Sequence, residues 1–223
     1  MANHDWALLR GLGENERVEV LSLARRRTFR RGEVVVHRGD PADTLHLIAR
    51  GRFAVRIVTP LGDSATLAVL GPGGSFGELA LVQPGTSRSA TVEALEPGET
   101  RSLHQRDFDA LRHRHPQVAE ALVELLAEQV QRLSRLLVEA LYLPAEQRVI
   151  ARLQELARLY ADGEGEVEIP LTQEDIAGLA GTARPTVNRI LRRCEERGLV
   201  RLQRGRTIVV DPATFAQRSR GLL

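Results

Sequence analysis

Seven apolar residues in the middle of the chain recur at alternating steps of four and three. They are Ala119, Val123, Leu126, Val130, Leu133, Leu137 and Ala140. A repeat sustained over about three heptads is typical of the seam of a coiled coil. The apolar face is wider than a seam requires, because it also includes Leu122, Leu125, Leu136 and Leu141. Residues 117–143 are therefore predicted to form a dimerisation helix and hinge, with packing of the helix on its own domain as the alternative.

Short apolar runs, separated by segments that contain glycine, precede this helix. The runs predicted to be strands are Glu33–Val36, Thr44–Ile48, Phe53–Val58, Ala65–Leu70, Ser89–Leu95 and Thr100–His104. Short strands at regular spacing favour a closed or two-sheet antiparallel structure such as a jelly roll. The segment Trp6–Arg27 before them is predicted to be helical. We therefore expect an α+β fold that begins with a double-stranded β-roll over residues 1–116.

The segment after the long helix, 144–223, has the pattern of a helix-turn-helix. Thr172 and Asp175 have the form of a capping box at the start of a helix,. Gly181 suits the left-handed turn that ends this helix. A second helix opens at Arg184–Pro185, where the missing N–H of proline would have been unpaired in any case. The spacing predicts two short helices joined by a tight turn.

A basic hairpin completes this C-terminal domain. The strands Leu199–Leu202 and Thr207–Val210 flank a turn of the kind that forms the wing of a winged helix. Residues 182–223 hold ten arginines against three acidic residues, a net charge of +7, so the rest of the chain carries −5 of the total +2. A basic end on an acidic body indicates an anionic partner, and the helix-turn-helix indicates that this partner is double-stranded DNA.

The predicted DNA contacts lie on the second helix and on the wing. They are Arg184, Pro185, Thr186, Asn188, Arg189, Arg192, Arg204 and Arg206. Arg184 and Arg189 are expected to read guanine edges, because a guanidinium can donate two parallel hydrogen bonds there. Arg204 and Arg206 are expected to contact phosphates. In a two-fold dimer the two recognition helices would meet an inverted-repeat operator.

Several functions are disfavoured by residues that the chain lacks. The single cysteine, Cys194, excludes an internal disulfide framework and a cluster held by several thiolates,. The glycine-rich segment 71–77 lacks the Lys-Ser/Thr of a P-loop, and no catalytic constellation is evident, so an enzyme is not expected. A metal site is less favoured than surface roles for His104, His113 and His115. Without an apolar stretch of membrane-spanning length or a signal peptide, the protein is expected to be cytoplasmic.

Three further stretches match one known family. They are Gly32–Gly51, Phe76–Leu81 and Arg88–Val92, in addition to the helix-turn-helix over Gln173–Leu191. On these residues the chain resembles the cyclic-AMP receptor protein (Crp/Fnr) family of regulators over essentially its full length. The resemblance implies a homodimeric, allosteric transcriptional regulator with a cyclic nucleotide as effector, cyclic AMP before cyclic GMP. RNA polymerase is a further partner that the resemblance implies.

The resemblance also implies which residues would hold the effector. They are Gly77, Glu78, Leu79, Arg88, Ser89 and Ser134. Arg88 suits a monoanionic phosphate, because charge-assisted hydrogen bonds from a guanidinium are strong. Ser89 and a backbone amide of Gly77 or Glu78 would donate to the same phosphate. Glu78 would accept from the ribose hydroxyl, and Ser134 would meet the base.

Two positions depart from the family pattern. The family presents a Thr-Ser pair to the adenine, whereas this chain has Leu133 and Ser134, so one of the two hydroxyl groups is absent. The family has a glutamate after the first arginine of the recognition helix, and this chain has Pro185, so its operator should differ at that base,. The alternative function is a regulator of the same fold that needs no effector or senses another ligand.

Overall fold

Contacts within the chain divide it into two units, in a computed structural model that describes residues 6–58, 62, 64–83, 85–163 and 165–218. The first unit comprises Met1–Ile57 and Ala68–Leu133, and the second comprises Val58–Leu67 and Ser134–Leu223. Over the described ranges, none of the helices combines the length and the hydrophobicity that a membrane span requires.

The N-terminal half of the chain consists mainly of short strands, with helices before and after them. Two short helices come first, α1 (Ala7–Arg10) and α2 (Glu14–Leu23). The strands that follow are β1 (Arg25–Phe29), β2 (Val34–Val36), β3 (Thr44–Arg50), β4 (Phe53–Val58), β5 (Ser64–Leu70), β6 (Ser75–Phe76), β7 (Thr91–Ala94) and β8 (Gly98–His104). The helix α3 (Leu79–Val82) lies between β6 and β7. After β8 come α4 (Gln105–Arg114) and the long helix α5 (Pro116–Tyr142).

The strands form two antiparallel sheets, with the orders β1-β8-β3-β6 and β2-β7-β4-β5. This arrangement is the predicted β-roll. The prediction of a helix over Trp6–Arg27 is wrong at its end, because Arg25–Phe29 form the edge strand β1. β1 pairs with β8 from Arg25 opposite Ser102 to Phe29 opposite Gly98. A polar strand of this kind has little local signal, since its conformation depends on the hydrogen-bonded ladder to its neighbour.

The strand β3 separates two hydrophobic clusters of the first unit. Leu45 and Leu47 point to one face of the strand and pack with α1, α4 and the start of α5. Ile48 points to the opposite face, as the two-residue period of a strand requires, and packs with Phe53 and Phe76 inside the roll,. Thr44 and His46 lie on the same face as Ile48, so β3 also positions polar groups inside the roll.

The long helix α5 has a buried and an exposed apolar face. The buried residues are Val118, Ala121, Leu122 and Leu125, which belong to the hydrophobic cluster of the first unit. Packing on its own domain therefore accounts for Leu122 and Leu125, two of the four leucines that widened the face. The predicted seam residues Val123 (65%), Val130 (62%), Leu133 (59%) and Leu137 (58%) are exposed. The helix therefore presents an apolar stripe that the single chain does not cover.

A winged helix forms the C-terminal part of the second unit. Its elements are α6 (Ala145–Tyr160), β9 (Val167–Ile169), α7 (Gln173–Ala180), α8 (Arg184–Glu196), β10 (Val200–Gln203), β11 (Arg206–Val209) and α9 (Pro212–Arg218). The three strands pair in the order β10-β11-β9. The capping box of Thr172 and Asp175 is present, and Gly181 ends α7 with a φ of 58°. The predicted helix-turn-helix is confirmed.

Candidate functional site

The arginine of the predicted ligand site is buried in the β-roll. Arg88 is only 6% exposed. Its backbone is held by the loop that precedes β3, since Arg88 N–H donates to the Asp40 carbonyl at 2.8 Å and Gly39 N–H donates to the Arg88 carbonyl at 2.9 Å. The side chain thus starts from a fixed backbone position and extends inward.

Thr44 holds the end of the Arg88 side chain. Nη1 donates to the Thr44 carbonyl oxygen and Nη2 donates to Thr44 Oγ1, each at 2.7 Å. Asp43 Oδ1 lies 3.8 Å from Nη2. Burial lowers the pKa of Arg88, and the nearby carboxylates Asp43, Asp40 and Glu78 oppose that shift,. A guanidinium remains charged after such a shift, so a positive charge lies inside the roll.

One donor of this guanidinium is uncommitted. Arg88 Nε is buried and has no hydrogen-bond partner in the described part of the chain. A buried N–H without a partner is unfavourable, and an anion bound at this position would satisfy it. The positive charge of the guanidinium would attract that anion.

Gly77 lies directly against Arg88 and could not be replaced by another residue without a shift. A Cβ at position 77 would collide with Arg88 Nη1 and would lie 2.7 Å from the Thr44 carbonyl oxygen. The φ of Gly77 is +84°, which other residues rarely adopt,. The absent side chain at position 77 therefore allows the backbone to approach the guanidinium.

The remaining predicted ligand residues differ in position. Glu78 is half-buried, precedes α3 and acts electrostatically on Arg88. Leu79 is 44% exposed, and Ser89 is exposed next to Arg88. The structure thus brings Gly77, Glu78 and Arg88 together. Ser134 is exposed on α5 and belongs to the second unit, so its role as a base contact stays a prediction.

Arg88 also lines a cavity of about 680 Å³ in the first unit. Other walls are formed by Asp43, Thr44, His46 and Ser102. This volume is in the usual range for small-molecule sites. Of the six predicted ligand residues, Arg88 is the member that borders this cavity.

His46 is a neutral polar group inside the roll. Its ring stacks on Phe76, with the ring centroids 4.8 Å apart and the planes at 4°. Burial lowers the pKa of His46 to about 3, and the positive charges of Arg88 and Arg27 act in the same direction,. The imidazole is therefore uncharged at neutral pH and hydrogen-bonds with Thr100 Oγ1 at 3.0 Å.

This shift makes stability depend on pH. The unfolded chain binds a proton at His46 near pH 6.5, whereas the folded chain does so only near pH 3. Stability should therefore fall as the pH decreases through this window, by about 2 kcal/mol between pH 7 and pH 5. His46→Phe should remove that contribution. Urea unfolding of both proteins at pH 7, 6 and 5 measures it, and parallel pH dependences would contradict the assignment.

The recognition helix α8 presents basic residues on the face opposite its buried one. Its buried residues are Val187, Ile190, Leu191 and Cys194. Its exposed residues include Arg184, Pro185, Asn188, Arg189 and Arg192, and Thr186 is half-buried. Neither Arg184 nor Arg189 forms an ion pair or side-chain hydrogen bond with residues that the structure describes. Both guanidinium groups are therefore available to an external acceptor.

Other arginines of the basic block have partners within the second unit. Arg206, predicted to contact phosphate, donates to both carboxylate oxygens of Glu168 at 2.9 Å. Arg193 on α8 is half-buried and donates to Glu146 Oε1 at 2.6 Å. The exposed Arg204 at the wing tip has no such partner within the described ranges. The excess of positive charge is therefore strongest at the N-terminal half of α8 and at the wing tip.

Comparison with known proteins agrees with this architecture. A profile of the cyclic nucleotide-binding domain matches residues 26–115, and a profile of the Crp-like helix-turn-helix domain matches residues 147–218. The cyclic AMP receptor protein of Thermus thermophilus is 35% identical over 215 residues, which cover 96% of this chain and 97% of that protein. The chain belongs to the Crp/Fnr family of transcriptional regulators.

Two further proteins show the range of this Crp/Fnr regulator's relatives. The CRP-like cAMP-activated global transcriptional regulator of Mycobacterium tuberculosis is 34% identical over 200 residues, 86% of this chain and 87% of that protein. The solved structure of the c-di-GMP-responsive global regulator CLP of Xanthomonas campestris has a TM-score of 0.74 at 19% identity, and covers 89% of this chain and 99% of that chain. The second likeness concerns the fold alone.

Thr44 is the residue of this Crp/Fnr regulator that sequence reasoning missed. It lies within the matching stretch Gly32–Gly51, but no spacing links it to Arg88, 44 residues later. The alternation of β3 would have placed Thr44 inside the roll with His46. Its contact with a particular arginine was not accessible from any local pattern.

The cysteine of this Crp/Fnr regulator has the packing role that its position predicts. Cys194 is fully buried on the inner face of α8. Burial raises the pKa of the thiol to about 11, and Glu146 acts in the same direction. Since the thiolate is the reactive form, the thiol is inert at neutral pH.

The histidines considered for a metal site have other contacts. His115 Nε2 lies 2.7 Å from Glu19 Oε2, and His113 Nδ1 lies 2.6 Å from the Asp109 carbonyl oxygen. His104 caps α4 by accepting from Arg106 N–H. Among the residues described, no group of three or more His, Cys, Asp or Glu is arranged to hold a metal ion.

Proposed function

We propose that this Crp/Fnr regulator is a homodimer that binds an inverted-repeat operator and is allosterically controlled by a cyclic nucleotide, cyclic AMP before cyclic GMP. The β-roll over 1–116 would sense the effector, residues 117–143 would form the dimerisation helix and hinge, and 144–223 would bind DNA. The observation that carries the effector assignment is Arg88, a buried cation with an uncommitted Nε.

The exposed stripe of α5 supports the homodimer. Monomeric proteins rarely leave a continuous row of large apolar side chains in water. The stripe includes Val123, Val130, Leu133 and Leu137, and it continues to Leu141, which is 66% exposed. Its heptad spacing suits a parallel helix of a second copy, because such a copy presents the same stripe to each side of a two-fold axis.

The chemistry around Arg88 supports a phosphate ligand. Thr44 accepts one hydrogen bond from each of the two Nη atoms. The Nε hydrogen and the second hydrogen of each Nη atom are left to bind an anion. The close approach of Gly77 allows backbone amides to add to that site, and the adjacent Ser89 hydroxyl is exposed. Glu78, whose carboxylate acts electrostatically on Arg88, would accept a hydrogen bond from the sugar hydroxyl.

Relatives favour cyclic AMP as the first effector to test. The proteins of Thermus thermophilus and Mycobacterium tuberculosis are named for cyclic AMP. The regulator of Xanthomonas campestris, which shares the fold, responds to c-di-GMP. Proteins that share this fold therefore respond to different effectors, and this chain has Leu133 where the family has a hydroxyl residue. For these two reasons an effector of another class is the second candidate.

Calorimetric titration of the purified protein with cyclic AMP and with cyclic GMP tests this function. We expect saturable binding of cyclic AMP and a change in operator affinity, since an effector shifts DNA affinity by as much as it prefers one dimer conformation. Absence of heat at millimolar concentration of both nucleotides, together with tight operator binding, would refute the cyclic nucleotide. RNA polymerase as a further partner and a cytoplasmic location are part of the same proposal.

Arg189→Ala should relax sequence specificity at one base pair of each half-site. The side chain is exposed on α8 and suits a bidentate contact with guanine, so its loss should cost about 1–3 kcal/mol on the true operator. Arg204→Ala at the wing tip should weaken all sequences alike and reduce the salt dependence. Selection of half-sites from random DNA with both variants separates these effects. An unchanged half-site for Arg189→Ala would refute this docking of the helix.

A further inference from the structure

Arg148 connects the end of α5 to the turn of the helix-turn-helix. Its Nη1 donates to the carbonyl oxygen of Leu143, just after α5, at 2.7 Å. Its Nε donates to the Ala180 carbonyl at 2.8 Å, and its Nη2 donates to the Gly181 carbonyl at 3.0 Å. Ala180 ends α7, and Gly181 is its C-cap. All of these residues lie in the second unit.

An arginine is well suited to this position. Carbonyl groups at the end of a helix lack partners in the next turn and carry partial negative charge. The planar guanidinium has donors on several edges at fixed angles, so one side chain can contact three carbonyl groups from two separate segments. Lysine has a single ammonium group and cannot reproduce this geometry.

The helix that contains Arg148 also forms two ion pairs with neighbouring helices. Arg152 Nη2 donates to Glu139 on α5, and Arg193 on α8 donates to Glu146 at 2.6 Å. The helix α6 therefore forms ion pairs both with the last turns of α5 and with the recognition helix. Arg148 makes the contact with the turn that immediately precedes the recognition helix.

We propose that Arg148 is a positioning residue for DNA recognition, which fixes the recognition helix relative to the end of α5. In the proposed homodimer, on which this inference rests, α5 is the shared element of the two subunits. The position of α8 relative to α5 then determines the separation of the two recognition helices. That separation selects the spacing between the two half-sites of an operator.

Operators with different spacers test this role. The half-site selected by the wild-type protein is placed in inverted repeats whose central spacer is shortened or lengthened by one base pair. Wild-type protein should prefer one spacing. Arg148→Gln should lose about tenfold affinity at that spacing, or about 1.4 kcal/mol, and much less at the others, so that its spacing profile is flatter. Arg148→Lys should behave in the same way.

Arg158→Gln is the matched control, because Arg158 is exposed on the same helix and forms no ion pair or side-chain hydrogen bond with the residues that the structure describes. Circular dichroism and light scattering confirm that each variant is folded and dimeric. Equal loss at every spacing would assign Arg148 to stability alone and overturn the proposal, as would a profile identical to that of Arg158→Gln. If the wild-type protein showed no spacing preference, the dimeric function itself would be refuted.

Discussion

Val130→Glu is expected to convert the proposed dimer into monomers and to lower affinity for an inverted-repeat operator by about a hundredfold or more, because the two half-sites would no longer be bound together. Val130 lies at the centre of the exposed stripe of α5 and is itself 62% exposed. A glutamate there would lie in the apolar interface of both subunits, where a carboxylate without a partner is strongly disfavoured. Light scattering and gel-shift titration measure the two effects.

Val18→Glu is the matched control for this experiment. Val18 is also an exposed valine (59%), but it lies on α2 and outside the stripe. The same substitution there should leave the mass and the DNA affinity unchanged. A Val130→Glu protein that retained the mass of a dimer would remove α5 from the interface. Intact DNA affinity in a monomeric variant would refute the inverted-repeat operator.

The helix-turn-helix could be predicted from the sequence because its signals are local. The capping box of Thr172 and Asp175, the glycine at 181 and the proline at 185 each act within one or two helical turns. The two ends of each helix are thus encoded where they occur. For this reason the predicted positions of the two helices agree with α7 and α8 of the structure.

Features that depend on distant parts of the chain were missed. The strand Arg25–Phe29 owes its conformation to β8, which follows it only after most of the roll. The ion pair between Arg206 and Glu168 depends on the register of β11 beside β9. No local pattern contains such information, so this ion pair could not be predicted, and the contact of Arg206 with phosphate stays a prediction.

The helix α5 combines a feature that the sequence predicted with one that depends on residues outside the helix. The heptad steps from Ala119 to Ala140 all lie within the helix Pro116–Tyr142, as predicted. The additional leucines had two explanations, and the structure assigns Leu122 and Leu125 to the core of the first unit. Val130 and its neighbours stay exposed in the single chain, so their burial in the proposed dimer depends on a second copy.

Arg88→Ala is expected to weaken cyclic AMP binding about ten- to a hundredfold, or about 1.5–3 kcal/mol, as for the loss of a hydrogen bond to a charged group. The arginine is the charged member of the predicted phosphate site, and its side chain is buried. Calorimetry measures the affinity, and operator binding without effector should change little. Arg52→Ala is the control, because Arg52 is another arginine of the roll, paired with Glu96 at 2.9 Å.

The hydrogen bonds from Arg88 to Thr44 refine this expectation. If the arginine acts through its orientation, Thr44→Val should lower the affinity for cyclic AMP in the same direction as Arg88→Ala, since one of the two bonds at 2.7 Å is lost. Thr44→Ser keeps the hydroxyl and should retain most of the affinity. In the Arg88→Ala background Thr44→Val should have little further effect, because residues that act through one contact are not additive. Equal losses from Thr44→Val with and without Arg88 would show that the threonine supports the fold and not the orientation of the guanidinium.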